Sequence, residues 1–159
     1  MFERYPPSSV RALFIARNTA AAAGSPTIDD EHLVAGLVEV LPLAGPFRTT
    51  VLQKLHLTVP EELSASEESD IPFSPGVKRL LSFAMLEADQ LGHHRIRPEH
   101  LLLAVLAESA SPASRVLHEA GVDRQMLIQS AAEDASLDDR PLPRGEGRLR
   151  AGVIDNTCQ

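Results

Sequence analysis

The residue types best able to do chemistry in this chain are two Glu-His pairs, Glu31-His32 and Glu99-His100. A carboxylate beside an imidazole is a usual source of general acid–base catalysis, and a carboxylate can also hold a guanidinium through two hydrogen bonds. Catalysis would require a nucleophile beside each pair, and neither segment supplies one in a recognised arrangement. The sequence therefore predicts binding, and not an enzyme, at these pairs.

Both pairs occur in the same sequence context, 68 positions apart. The first segment reads IDDEHLVAGLV at 28–38 and the second reads IRPEHLLLAVL at 96–106. When residues 8–40 are placed over 76–108, nine positions are identical: Arg11/Arg79, Leu13/Leu81, Ala16/Ala84, Ala20/Ala88, Gly24/Gly92, Ile28/Ile96, Glu31/Glu99, His32/His100 and Leu33/Leu101. The chain is therefore predicted to contain an internal repeat.

Each copy of the repeat is predicted to begin with a long helix that ends at a glycine. Apolar residues recur at three- and four-residue spacing across 77–91, and Gly92 follows as a stop signal, as Gly24 does in the first copy. Asp29 is the predicted N-cap of the next helix, and Pro98 is the predicted first residue of its counterpart. Four further helices are predicted at about 46–56, 60–66, 112–120 and 123–135.

These patterns predict one all-α domain of about eight helices over residues 1–135, because no alternating strand pattern is present. The domain is expected to consist of two pseudo-symmetric four-helix units, at about 1–66 and 73–135. Residues 136–159 contain two prolines and three glycines without helical periodicity. They are expected to form a mobile tail.

The composition disfavours several classes of partner. The formal charge is −7 and Lys54 and Lys78 are the only lysines, which disfavours a nucleic-acid binder. No apolar run approaches the roughly 20 residues that cross a bilayer, and the start MFERYPPSS lacks a secretory pattern. Cys158 is the single cysteine, so no internal disulfide can form. A cytoplasmic protein without a membrane or nucleic-acid partner is expected.

The double pattern AAAAGSPTIDDEHLVAGLV and EADQLGHHRIRPEHLLLAVL resembles the Clp N-terminal repeat domain, the substrate-receiving domain of ClpA- and ClpC-type unfoldases. The start MFERY and the segment IPFSPGVKRLLSFAMLEADQLGH are most similar to the ClpC branch. The resemblance implies two four-helix repeats related by a pseudo-twofold axis. The chain has no G-x-x-x-x-G-K-[ST] motif, so we expect a stand-alone relative without the AAA+ motor.

The resemblance implies that Glu31 and Glu99 bind phosphoarginine, because ClpC-type N-domains of some bacteria use the Glu of this motif for that ligand. The chain has Asp29-Asp30 before Glu31 and Arg97-Pro98 before Glu99, where the family has Gly-Thr. The alternative is that each Glu lies in the first turn of a helix only to stabilise the macrodipole, by about 0.3–1 kcal/mol. For such a site we expect Glu99 to lie at the surface, where Glu99→Ala should barely affect folding.

Phe2 and Phe73 precede the two long helices in what look like equivalent places, and each is predicted to pack the chain against the helices. The family receives peptide ligands in this region, beside a lysine that Lys78 matches here. The resemblance therefore implies a peptide-binding groove formed by Phe2, Phe73 and Lys78. Exposed aromatic side chains are a usual source of binding energy.

A third hypothesis places a zinc ion or a hydrolase site at His93, His94 and His100. The adjacent histidines diverge, and no third-ligand spacing recurs in the other repeat. The sequence therefore favours packed, hydrogen-bonded side chains for His32 and His100, and it predicts neither metal nor cofactor. Loss of function with an intact fold in His100→Ala would support the enzyme instead.

The predicted function is a non-catalytic module that binds peptides, degrons or adaptor proteins and modulates a Clp ATPase or protease. An alternative is a decoy or immunity protein that sequesters a cyclic peptide antibiotic directed at the ClpC N-domain.

Overall fold

The computed structural model describes residues 3–41, 45–61 and 71–138. Within these ranges it contains seven helices and one isolated β-bridge: α1 Pro7–Ala22, α2 Asp30–Val40, α3 Gly45–Leu55, α4 Pro75–Gln90, α5 Pro98–Ala107, α6 Pro112–Glu119 and α7 Arg124–Asp138. The all-α prediction is confirmed. The eighth predicted helix, at 60–66, falls largely outside the described residues, whereas α7 continues to Asp138 and so extends past its predicted end at 135.

The signals at the ends of the helices act as the sequence predicts. Gly24 and Gly92 have φ angles of +69° and +75°, a conformation that glycine adopts without steric cost, and they follow the ends of α1 and α4. Asp29 is the N-cap of α2, and Pro98 is the first residue of α5. The two long helices and the helices that follow them are therefore equivalent in the two halves.

The centre of the domain is formed by α2 and α5, which contact each other. Every residue over 32–38 of α2 and over 98–106 of α5 is buried. A helix that is apolar around its whole circumference must lie inside the protein. Helices α1 and α3 pack on α2, whereas α4, α6 and α7 pack on α5. The Glu-His pairs thus lie at the starts of the two most buried helices.

The segment that leads into each long helix crosses to the other half of the domain. The Ile28 amide donates a hydrogen bond to the Pro72 carbonyl oxygen at 2.9 Å, and the Ile96 amide donates to the Arg4 carbonyl oxygen, also at 2.9 Å. Arg4 and Pro72 are separated by the same 68 positions as Ile28 and Ile96. These bonds therefore follow the pseudo-twofold relation between the halves.

A proline breaks this symmetry at one position. The Ser74 amide donates to the Ile28 carbonyl oxygen at 3.0 Å, but Pro6, at the equivalent place, has no N–H. The Ile96 carbonyl oxygen accepts instead from the Ser9 hydroxyl at 2.7 Å. A side chain on α1 thus replaces the missing backbone donor.

The predicted equivalence of Phe2 and Phe73 is wrong. The crossing hydrogen bonds place Phe73 after Pro72 and Tyr5 after Arg4, so Tyr5 is the counterpart of Phe73. Tyr5 belongs to the core and is 8% exposed, and its burial raises its pKa to about 12. Phe2 lies outside the described residues.

Helices α1 and α2 approach each other closely at Gly36. A Cβ atom at this position would lie 2.1 Å from the Ala12 carbonyl oxygen, far inside van der Waals contact. The counterpart of Gly36 in α5 is Ala104, which is buried without such a constraint on its type. The packing of α1 on α2 therefore depends on a glycine that the second half does not need.

Across the described ranges, no helix is both long and apolar enough to cross a membrane.

Candidate functional site

The histidines of the two Glu-His pairs close the starts of their helices. His32 Nδ1 accepts a hydrogen bond from the Asp29 amide at 3.0 Å, and His100 Nδ1 accepts from the Arg97 amide at 2.8 Å. Their residues are 5% and 0% exposed. Each ring thus lies at the third helical position, where Glu or Gln usually accepts the hydrogen bond from the N-cap amide. The prediction of packed, hydrogen-bonded histidines is confirmed.

His100 also contacts a second imidazole. His100 Nε2 and His93 Nδ1 are 2.9 Å apart, and because His100 Nδ1 already accepts from a backbone amide, Nε2 must carry the proton and donate it to His93. Burial, together with the smaller effects of the nearby His93, Arg97 and Arg4, lowers the pKa of His100 to about 4. His100 is therefore neutral near pH 7. Among the described residues, no three His, Cys, Asp or Glu side chains converge as metal ligands.

The two glutamates of the pairs differ in exposure. Glu99 is 1% exposed, and its Oε2 atom accepts a hydrogen bond from the Ser130 hydroxyl at 2.8 Å. The surface position expected for Glu99 is therefore wrong, because α7 packs over the start of α5. Glu31, in contrast, is partly exposed at the start of α2. Binding of phosphoarginine by this pair stays a prediction, and the two positions differ in accessibility.

A cleft of about 200 Å³ with both polar and apolar lining residues lies beside the start of α2, between the two halves. Its lining includes Asp30, Ser74, Arg79, Glu108 and Ser111. The Ser111 hydroxyl donates to Asp30 Oδ2, and an Arg79 nitrogen lies 4.0 Å from a Glu108 oxygen. The carboxylates in this cleft disfavour an anionic ligand such as a phosphate.

A second depression is larger and mostly apolar. It has a volume of about 320 Å³ and lies between α1 and the segment 71–73. We call it the α1 groove; its lining consists of Val10, Leu13, Phe14, Arg17, Ile28, Ile71 and Phe73. The four α1 residues lie on one face because their spacing follows the helical repeat. A single cationic side chain borders an otherwise apolar surface.

The crossing segment gives the α1 groove a fixed base. Ile28 and Phe73 form a parallel β-bridge, and Ile28 is buried with Ala16 and Ala20 in a cluster against which Ile71 and Phe73 pack. Val10, at the open side, is 48% exposed. The Arg17 guanidinium carbon lies 4.9 Å from the centre of the Phe14 ring, within the range of a cation–π contact. The α1 groove can therefore accommodate an apolar side chain of a ligand, with a polar or acidic neighbouring group of that ligand close to Arg17.

The predicted peptide-binding residues lie in different places. Phe73 lines the α1 groove, but Lys78 is exposed on α4 and does not line it. Sequence reasoning missed Val10 and Phe14, which lie beside Leu13 on α1. A signal was available, because both are apolar residues on the side of α1 that faces away from α2, where the core does not require them.

Comparison with known proteins shows the family. The model of the Clp repeat (R) N-terminal domain matches residues 5–120, and the chain therefore belongs to this family. The chain is 31% identical over 150 residues to an ATP-dependent Clp protease ATP-binding subunit ClpA homolog of Porphyra purpurea, with 85% of this chain and 18% of that protein covered. It is also 31% identical over 150 residues to the chloroplastic chaperone protein ClpC of Pisum sativum, with 85% and 16% covered. The chain thus spans less than a fifth of these relatives.

Solved structures share the fold. The N-terminal domain of ClpD from Arabidopsis thaliana is similar with a TM-score of 0.62 and 22% identity, covering 86% of this chain and 97% of that one. The ClpV N-domain in complex with a VipB peptide is similar with a TM-score of 0.55 and 22% identity, covering 85% and 89%. Two helical repeats related by a pseudo-twofold axis are therefore the architecture of this chain, with seven helices in the part that the structure describes.

Proposed function

We propose that this protein is a non-catalytic module that binds a peptide segment of a substrate or adaptor protein in the α1 groove. The observation that carries the proposal is the groove itself, about 320 Å³ of mostly apolar surface on a base fixed by the Ile28–Phe73 bridge. Ligand sites in proteins are typically preformed apolar depressions with a few placed polar groups. Arg17 is the charged group of this site.

The groove suits an extended peptide with an apolar anchor. An exposed Val10 and a partly buried Phe73 face the same depression, so an apolar side chain placed between them would be buried and would displace water from both surfaces. Such buried anchors supply most of the energy of a peptide complex. The ClpV N-domain, whose fold is similar, was solved with a bound VipB peptide, which supports a peptide ligand here. Modulation of a Clp protease, through shared or competing ligands, belongs to the same proposal.

Isothermal titration with a selected peptide tests the proposal. A peptide is first selected from a phage-displayed library of linear random sequences on the wild-type protein, and it is then titrated into wild type and variants. Val10→Glu places a charge in the groove at an exposed position, so we expect binding to be lost while the fold is kept. Leu86→Glu is the matched control, since Leu86 is 51% exposed on α4, outside the groove. Equal loss in both variants, or in neither, would contradict the proposal.

Free phosphoarginine, titrated in parallel, tests the competing site. Phosphoarginine binding that disappears in Glu31→Gln but survives in Val10→Glu would indicate that the ligand site lies at the start of α2. A cyclic peptide antibiotic directed at the ClpC N-domain is the third probe. Its binding, lost in Phe73→Ala, would favour the decoy or immunity role over a degron or adaptor receptor.

A further inference from the structure

The outward side of α4 carries an apolar surface that the rest of the described chain leaves open. Phe83, Met85 and Leu86 are 44%, 41% and 51% exposed, and apart from Val10 they are the most exposed large apolar side chains described. We call the stripe formed by Arg79, Phe83, Leu86 and Gln90 the α4 face; its spacing of three and four residues keeps it on one side of the helix. It does not overlap the α1 groove.

The internal repeat shows that the exposure of this face is unusual. The shift of 68 residues places Phe83 on Ile15 and Leu86 on Asn18. Ile15 is 2% exposed and Asn18 is 8% exposed, so the same side of α1 is covered within the fold. The second half thus presents apolar residues at positions that the first half buries. Exposed apolar patches of this kind mark interaction surfaces.

The charges on α4 are distributed unevenly along its length. Lys78 and Arg79 lie near its start, and Glu87 and Asp89 lie near its end. The Arg79 side chain is 65% exposed, and that of Asp89 is 53% exposed while it pairs with Arg4. Glu87 pairs with Arg124 at 2.7 Å and its side chain is only 16% exposed. A second α4 running antiparallel would bring the exposed Arg79 of each helix towards the exposed Asp89 of the other, and the two macrodipoles would also oppose each other favourably.

We propose that the α4 face binds a second copy of this chain, with the two α4 helices antiparallel about a twofold axis. The midpoint between Phe83 and Leu86 is also the midpoint between Arg79 and Gln90. A twofold axis at that point places Phe83 against Leu86 of the second copy and Arg79 against Gln90 of the second copy. One stripe is therefore complementary to itself, as an isologous interface requires.

The surface available predicts a weak dimer. The two apolar side chains of the α4 face, each about half exposed, and their polar neighbours amount to roughly half of the ~800 Å² per partner that a standard stable interface buries. We therefore expect a dissociation constant of roughly 10 μM to 1 mM. The dimer is independent of peptide binding, because the α1 groove lies on a different helix.

Sedimentation velocity over a concentration series spanning that range tests the dimer. The wild-type protein should pass from monomer to dimer as its concentration rises, and Leu86→Glu should remain monomeric with an unchanged far-ultraviolet circular dichroism spectrum. Val10→Glu is the matched variant, because it introduces the same charge at a similarly exposed apolar position on α1, and it should dimerise like wild type. A wild type that stays monomeric throughout, or a dimer lost in Val10→Glu and kept in Leu86→Glu, would overturn the proposal.

Disulfide trapping tests the antiparallel arrangement in protein whose Cys158 has been replaced by Ser. Arg79→Cys and Gln90→Cys should cross-link with each other when mixed, and neither should cross-link with itself. The two positions are eleven residues apart, about 16 Å along a helix, so identical positions cannot meet in the antiparallel pair. Efficient self-cross-linking of Arg79→Cys would instead indicate a parallel pair and would refute the arrangement.

Discussion

Protonation of His100 should destabilise the fold in mildly acidic solution. His100 is fully buried, donates to His93 and accepts from the Arg97 amide, so an added proton on Nδ1 would remove an acceptor and place a charge near Arg97 and Arg4. The pKa of His100 is about 4 in the folded protein and about 6.5 in the unfolded chain. Because the folded value is the lower one, the unfolded chain binds more protons, and stability falls as the pH drops below about 6.5.

The size of this effect follows from the two pKa values. Each unit of difference corresponds to about 1.4 kcal/mol, so the full loss is about 3 kcal/mol below about pH 4. At pH 5 the same values give a loss of about 2 kcal/mol, whereas at pH 7 almost none of the loss has occurred. His100 should therefore account for about 2 kcal/mol of the decrease in unfolding free energy between these two pH values.

Urea unfolding at a series of pH values, followed by circular dichroism, measures this loss. His100→Asn is the control, since its side-chain oxygen can still accept from the Arg97 amide but does not titrate. The difference in unfolding free energy between wild type and His100→Asn should shrink by about 2 kcal/mol from pH 7 to pH 5. Identical pH dependence in the two proteins, or an NMR titration of the His100 ring centred near 6.5, would refute the reasoning.

Three further predictions concern packing, and urea unfolding at pH 7 measures each. Gly36→Ala should lower the free energy of unfolding by about 1–3 kcal/mol or more, because its Cβ would overlap a carbonyl oxygen of α1. Ala104→Gly, at the equivalent position of α5, should lower it by only about 1 kcal/mol. Equal losses in the two variants would contradict the close approach of α1 and α2. Leu101→Ala should cost about 2–5 kcal/mol, because Leu101 is fully buried; a loss under 1 kcal/mol would place it outside the core. Glu99→Ala should cost about 1–3 kcal/mol, because it removes a buried side chain and the acceptor of the partly buried Ser130 hydroxyl; no loss would contradict a buried Glu99.

Local signals made most of the helices predictable. The stops at Gly24 and Gly92, the N-cap at Asp29 and the proline at the start of α5 depend on neighbouring backbone atoms alone. The internal repeat added the pairing of the two halves, since equivalent residues must occupy equivalent places. The same shift of 68 also aligns Phe73 with Tyr5, so the true counterpart of Phe73 could have been read from the sequence.

Contacts between distant segments could not be predicted in this way. Glu99 is buried because Ser130, 31 residues later, lies on a helix that packs over it, and no periodicity in the sequence specifies that packing. The α1 groove likewise depends on residues 71–73 crossing to the first half. The capping role of the histidines was missed because Glu and Gln are the usual residues at that position.

The most direct test of a peptide-binding α1 groove is a ¹H–¹⁵N correlation spectrum of the labelled protein, titrated with the selected peptide. The account predicts that the largest amide shifts occur at Val10, Phe14, Ile71 and Phe73, and that they saturate together. Shifts concentrated around Glu31 at the start of α2, or an absence of saturable shifts near the groove, would contradict it.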